Sequence, residues 1–397
     1  MVSFEDIQRR EIAIFGTGLN AVKCAYYMLE KRKPIKCFLN NNKLTDNFLG
    51  RPVYEPDHVP ENTYVVIAVE SIATYMQLSK QLGELHLEEF TDYIYYKWID
   101  KSMILLHGNC HMSVIQAYME SSSRFLDEYA IYPNPPIYSN EEKAIASVVL
   151  KYCDIWIHED IRTDNAFSFF LSDEYIRQQW AINNVSDKDR VEIIVPHLFG
   201  LGRAFFPQTA LGKNERNDKI NNAQDVNGMF PHADLVIDKC VEKGMEEEDI
   251  IKYCMSDSVF NEEEVTKNFE MYMEKIKERE SAWDIKIYNY LLENYRNEKM
   301  FYDAGHPTNV IMKKISEEIL NRLGIDEDGI HTDLTMDGCE NPIYPSVKRW
   351  LKLQWDESEI RKSHSARKCC DKMDFEEYVK EYLWWTHGYR CKGKGYI

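Results

Sequence analysis

MILLHGNCHMSVIQAYM, residues 103–119, passes from an apolar strand pattern through Gly108, Asn109, Cys110 and His111 into a helical pattern. In an α/β protein such a turn places a side chain at the carboxyl edge of a sheet, beside the unpaired N–H groups of a helix start. A thiolate is stabilised there, and an oxyanion can be held. FYDAGHPTN, residues 301–309, supplies Asp303 and His306 just ahead of another helical pattern. Cys110, His306 and Asp303 are the candidate nucleophile, base and orienting carboxylate of an acyl-transfer site. Oxyanion contacts are expected from Gly108 and Asn109, through backbone or carboxamide N–H, with His111 completing the turn. Two routes fit: transient acylation of Cys110, or activation of an acceptor hydroxyl by His306 for direct attack on a thioester. Structural roles compete with both, since a free cysteine is commonly a small buried hydrophobe and a His-Pro pair commonly starts a helix.

Upstream, KWID (97–100) leads straight into this strand. The expected division is therefore a Rossmann-like domain over 1–100, a central α/β domain over 101–335, and a helical C-terminal extension over 336–397. EIAIFGTGLNAVKCAYYMLEKRKP (11–34) followed by IKCFLN (35–40) has the pattern of strand, glycine turn, amphipathic helix and second strand. The turn is G-x-G-x-x-A, in which Gly16, Gly18 and Asn20 are candidate contacts for a nucleotide or nucleotide-sugar. A dinucleotide site normally ends the second strand on an acidic residue, where this chain has Asn40, Asn41 and Asn42, so a scaffolding role competes with nucleotide binding. Gly16, Gly18, Asn41, Gly50, Pro52 and Val53 resemble the GxGxxG, DNN and GxPV succession of small Rossmann-like modules that accompany sugar-modifying and sugar-acylating enzymes. A further strand is expected over 64–69.

Downstream, CDIWIHEDI (153–161) and VEIIVPHLF (191–199) are short β-branched runs with helical patterns between them. Arg162 after the first, and Arg203 with His197 after the second, are candidates to hold an anionic cofactor, since a guanidinium grips phosphate in a bidentate way. His107 and His111 flank the cysteine without a second ligand group at metal-like spacing, and no metal is expected.

GNCH (108–111), DIWIHEDIR (154–162), IVPHLFGLGRAFFP (194–207) and DAGHPTN (303–309) occur in an order that resembles the WcbI-type polysaccharide biosynthesis acetyltransferases, over about residues 103–325. The resemblance implies coenzyme A binding and acetylation of a capsular polysaccharide. That family's turn more often has Gln where this chain has His111. DAGHP also resembles the D-x-x-H-P block of SGNH-type esterases and acetyltransferases, with GNC in the place of their GDS block and Cys110 in place of serine. The leading expectation is an O-acetyltransferase moving an acetyl group from acetyl-CoA to a sugar of a capsular or other surface polysaccharide. An SGNH-like carbohydrate esterase or deacetylase, and a non-catalytic nucleotide-sugar-binding protein, are the alternatives.

The bulk properties agree with this. A chain of 397 residues exceeds what one core comfortably serves. A net charge of −18 excludes a general nucleic-acid surface, so an anionic ligand must be met locally. The ten cysteines show no CxxC pair, as in a reduced protein, and no run approaches the roughly 18–20 apolar residues of a membrane span. The expected location is the cytoplasm. Two helices are expected in the tail, over 346–362 and 373–385, with Trp350, Leu351, Leu353 and Trp355 packing on the domain or on a second copy in a homo-oligomer.

Overall fold

The EIAIF run is strand β1 (Glu11–Phe15), with four of its five residues buried, and it leads through the glycine turn into α1 (Leu19–Glu30) and β2 (Ile35–Leu39). The computed structural model describes residues 10–161, 168–182, 190–211, 230, 232–326, 329–336, 340–355, 360–361 and 372–388. Its first sheet continues with β3 (Asn47–Phe48), β4 (Arg51–Tyr54), β5 (Thr63–Ile67) and β6 (Tyr93–Tyr95), and α2 (Ile72–Glu84) connects the last two. The strand order is β3-β4-β2-β1-β5-β6, parallel throughout except for β3, which runs antiparallel to β4. Strands buried on both faces explain why this segment shows continuous apolar runs instead of alternation. The chain leaves β1 for β2 on one side and places β5 on the other, so the order reverses at the carboxyl end of β1. Gly16 stands there with φ +134°, and a Cβ on it would lie 2.9 Å from the Ala68 carbonyl oxygen, so only glycine fits.

The second sheet repeats this logic. It comprises β7 (Ser102–His107), β8 (Tyr129–Tyr132), β9 (Ile155–Glu159) and β10 (Val191–Val195), in the order β10-β9-β7-β8. Strand β7 is parallel to both β8 and β9, so the reversal falls at its carboxyl end, where Gly108 begins the turn. The connecting helices are α3 (His111–Glu120), α4 (Ser123–Glu128), α5 (Ser147–Tyr152) and α6 (Asp173–Ile182). The strands expected over 64–69, 153–161 and 191–199 are present in shorter form as β5, β9 and β10. Pro196, which has no N–H to give a ladder, follows the end of β10 directly.

Packing groups the chain into two units, residues 1–109 with 122–193, and residues 110–121 with 194–397. In the first unit one core runs through both sheets, with Phe90 stacked on Trp98 at 5.9 Å and Trp98 against Tyr132 at 5.5 Å. The second unit is mainly helical and contains Leu235–Glu242, Glu247–Cys254, Glu262–Glu280, Tyr288–Asn294, Asn309–Arg322, Pro345–Leu351 and Phe375–His387. Helix α3 belongs to this unit because it packs along Asn309–Arg322. The grouping therefore changes at Cys110, and the tail packs with the helices that precede it.

The tail departs from the expected long helix over 346–362. Pro345–Leu351 ends at Lys352, which takes the left-handed conformation (φ 55°), and a short strand Ile360–Arg361 pairs with Lys372–Met373. Leu351 and Leu353 are buried, while the Trp350 and Trp355 indoles donate to the Phe260 and Tyr295 carbonyls at 3.2 and 3.0 Å. Among the described residues no helix is long and apolar enough to cross a membrane.

Candidate active site

Strand β7 delivers Gly108 to the sheet edge, where its carbonyl accepts from Ile137 N at 2.9 Å. The backbone N–H of Asn109 donates to Glu159 Oε2, at the end of β9, at 2.8 Å. That bond closes the backbone route by which Asn109 was expected to serve an oxyanion. Cys110 follows with helical dihedrals (φ −54°, ψ −25°) as the cap residue of α3, and its side chain makes no capping bond. The sulfur thus stands at the positive end of a ten-residue helix. Of the six described free cysteines, the other five are buried. Burial pushes the thiols of Cys24, Cys153 and Cys254 up to about 12 and Cys37 up to about 11. Cys110 is the one among them that reaches the surface.

The D-x-x-H block has to fold sharply for both side chains to reach one place, and Asp303 makes it do so. Its Oδ1 accepts from the backbone of Gly305 at 2.6 Å and of His306 at 2.8 Å, while its Oδ2 meets His306 Nδ1 at 2.8 Å. Tyr302 N donates to the His306 carbonyl at 2.8 Å, and Thr308 N to the Met300 carbonyl at 2.9 Å, closing the loop. The Asp303 side chain is fully buried, whereas His306 keeps 29 % of its side chain exposed, enough for the ring to meet a substrate. Burial disfavours a charged ring. Hydrogen bonds to Asp303 and Cys110, and the electrostatic pull of both, outweigh it and push His306 up to about 10. Burial likewise opposes the Asp303 carboxylate, but the His306 bond and charge, the charge of His232 and the Gly305 N–H hold it below its ordinary value. Cys110, His306 and Asp303 therefore form a connected sulfur–imidazole–carboxylate relay within the second unit.

Three further residues shape this relay. His111 is buried, meets the Gly305 carbonyl through Nε2 at 3.2 Å and stands edge-on to the His306 ring at 6.5 Å. A Cβ on Gly202 would lie 2.4 Å from the Asp303 carbonyl oxygen, and one on Gly305 would lie 2.9 Å from the Phe199 ring. Both glycines let backbone and ring close around Asp303. Sequence marks Gly202 only by its place in the GLGR stretch after VEIIVPHLF, and nothing local marks His232.

The remaining candidates divide. Arg203 follows Gly202 in the same short helix, Leu201–Ala204; its Nε is buried with no hydrogen-bond partner and its guanidinium lies 5.9 Å from the Tyr272 ring centroid. A buried, uncompensated donor of this kind suits an anionic group. His197 lies half-buried two residues beyond β10. Arg162 lies outside the described residues. His107 binds the Leu171 carbonyl through Nε2 at 2.8 Å, so both histidines flanking Cys110 are turned to backbone carbonyls. At the first glycine turn, Asn20 Oδ1 accepts from the Tyr96 hydroxyl at 3.2 Å, Asn40 binds Thr17, and a Cβ on Gly18 would meet open space. The polar side chains there are bonded to one another.

The family model for the polysaccharide biosynthesis enzyme WcbI matches residues 103–328. No curated protein matches the sequence significantly. A solved WcbI structure, described as that of a novel polysaccharide biosynthesis enzyme in its native form without a disulfide bond between coenzyme A and a cysteine, superposes with a TM-score of 0.56. The match covers 73% of this chain and 91% of that one at 14% sequence identity, so the likeness is one of fold.

Proposed function

This chain belongs to the family of WcbI polysaccharide biosynthesis enzymes, and from that premise we propose that it is an O-acetyltransferase acting on a sugar of a capsular or other surface polysaccharide, with acetyl-CoA as donor. The observation that carries the reading is the relay of Cys110, His306 and Asp303, assembled from two distant segments at the start of α3. Acetyl-CoA supplies an activated acyl group. With the proton on the His306 ring, the Cys110 sulfur is the group set up to attack, because the thiolate is the nucleophile. The sulfur bonds to the acyl carbon, the carbon–sulfur bond to coenzyme A breaks, and His306 protonates the departing thiolate to the free thiol. His306 then takes the proton of the sugar hydroxyl as its oxygen attacks the acyl carbon, and the Cys110 sulfur leaves. Asp303 holds Nδ1 throughout and stabilises the imidazolium. Arg203, through its uncompensated buried donor, is the residue proposed to hold a phosphate of the donor. The description of the solved relative names coenzyme A together with a cysteine, without a disulfide bond between them, and a cysteine paired with that donor supports the reading.

The test incubates the full chain with acetyl-CoA and a sugar panel and follows both coenzyme A release and sugar acetylation. A transient mass increase of one acetyl group on Cys110, lost in Cys110→Ala along with transfer, is expected. Full transfer in Cys110→Ala and His306→Ala would sink the proposal.

A further inference from the structure

The peptide that leads into the base is gripped at both of its polar groups. Its N–H belongs to His306 and donates to Asp303 Oδ1 at 2.8 Å, while its C=O belongs to Gly305 and accepts from His111 Nε2 at 3.2 Å. A carbonyl can only accept, so the His111 ring carries a proton on Nε2. Gly305 and His111 are both buried, and a buried acceptor that loses its donor turns to find another. Without His111, Asp303 alone would fix the orientation of this peptide, and the imidazole that follows it would be less firmly aimed.

His111 is placed to act on both halves of the relay within the second unit. It is the first residue of α3 and directly follows Cys110, so the chain itself ties it to the sulfur. Its hydrogen bond ties it to the loop of the base, and its ring stands edge-on to the His306 ring at 6.5 Å. Seven residues along the same helix face, the Tyr118 hydroxyl donates to the Asn309 carbonyl at 3.4 Å, so α3 meets the 305–309 stretch at both ends. The aim of the imidazole toward the sulfur is thus set where the His111 side chain meets Gly305. Resting on the acyl-transfer reading above, we propose that His111 is a positioning residue, whose Nε2–H holds the Gly305–His306 peptide and with it the His306 ring between Asp303 and Cys110.

The test compares two amides on the full chain. His111→Gln puts an N–H near the place of Nε2, whereas His111→Asn, one carbon shorter, puts it near that of Nδ1 and stops short of Gly305. Coenzyme A release and sugar acetylation give kcat and KM, NMR follows the titration of His306, and thermal unfolding shows that each variant folds. His111→Asn is expected to lower kcat by roughly 10–100-fold, the cost of a displaced catalytic group, with KM for acetyl-CoA unchanged. Its His306 ring is expected to titrate between the ordinary 6.5 and the about 10 of the unsubstituted chain, because the Asp303 and Cys110 contacts that raise it are loosened. His111→Gln is expected to restore most of kcat and of the titration value. A packing role alone would impair both amides alike. Unchanged kcat and titration in His111→Asn, or a His111→Gln as impaired as His111→Asn, overturns the assignment. Absence of acetyl transfer in the unsubstituted chain sinks the catalytic reading instead, and the His306 titration in the two variants then decides the positioning by itself.

Discussion

Cys110 acts through its neighbours. It caps α3 without spending its side chain on the cap, and it shares His306 with Asp303. Replacing His306 by Ala should lower kcat by roughly 10²–10⁴, the usual weight of a positioned acid–base group, with the fold intact by circular dichroism. The ring itself offers a second check. Because hydrogen bonds and charge from Asp303 and Cys110 push it up to about 10, either Asp303→Asn or Cys110→Ala should lower that value in an NMR titration. A ring that titrates unchanged in both variants would contradict the relay. The sign for stability follows: the folded-state value lies above the ordinary 6.5, so the stabilisation is complete below that pH and disappears as pH rises through about 10. That these three side chains could meet was legible in sequence, because residue type and order mark them as a candidate relay. His232 was not, since its influence on Asp303 arises from proximity and leaves no local pattern.

At the level of the element, the two strand-to-helix turns are alike in topology and different in use. Gly16 serves close approach to Ala68, and the side chains around it are bonded to one another, while the turn after β7 presents a sulfur. Gly16→Ala should destabilise the first sheet by about 1–3 kcal/mol, through a contact of 2.9 Å at a positive φ, and show as a lower denaturant midpoint. Gly202→Ala should cost a similar amount, about 1–3 kcal/mol, and should also reduce kcat, because the added carbon meets the Asp303 carbonyl. A Gly202→Ala protein of full activity would show that the Asp303 loop tolerates displacement. Strands β1, β2, β5, β7, β9 and β10 could all be recognised beforehand from apolar runs. The early end of the helix Pro345–Leu351 could not, because Lys352 is a good helix former and only its packing surroundings place it at φ 55°.

Over the whole molecule the acidic balance of −18 requires an anion to be met by a local cation, the role proposed for the half-buried Arg203. A different buried charge ties the tail into the second unit. Asp234 accepts from the backbone of Val236 and Ile237 and from the Tyr344 hydroxyl, while its own N–H reaches the Tyr382 hydroxyl at 2.9 Å. Burial is the main cause that pushes its carboxyl up to about 7. Its stabilising contribution is therefore full below pH 3.8 and is lost as pH rises through about 7, so Asp234→Asn should flatten the decline of stability across that window in denaturant melts. An unchanged pH profile would show that Asp234 titrates as it does in the unfolded chain. Composition, strand and helix periods, glycine turns and the ordered blocks of 103–309 are local properties, and from them the α/β class, both sheets and the candidate residues of the relay could be inferred. The partition of the packing is not local. Helix α3 packs along Asn309–Arg322, and this long-range contact, with the His111 Nε2 bond to the Gly305 carbonyl, brings Cys110 to His306.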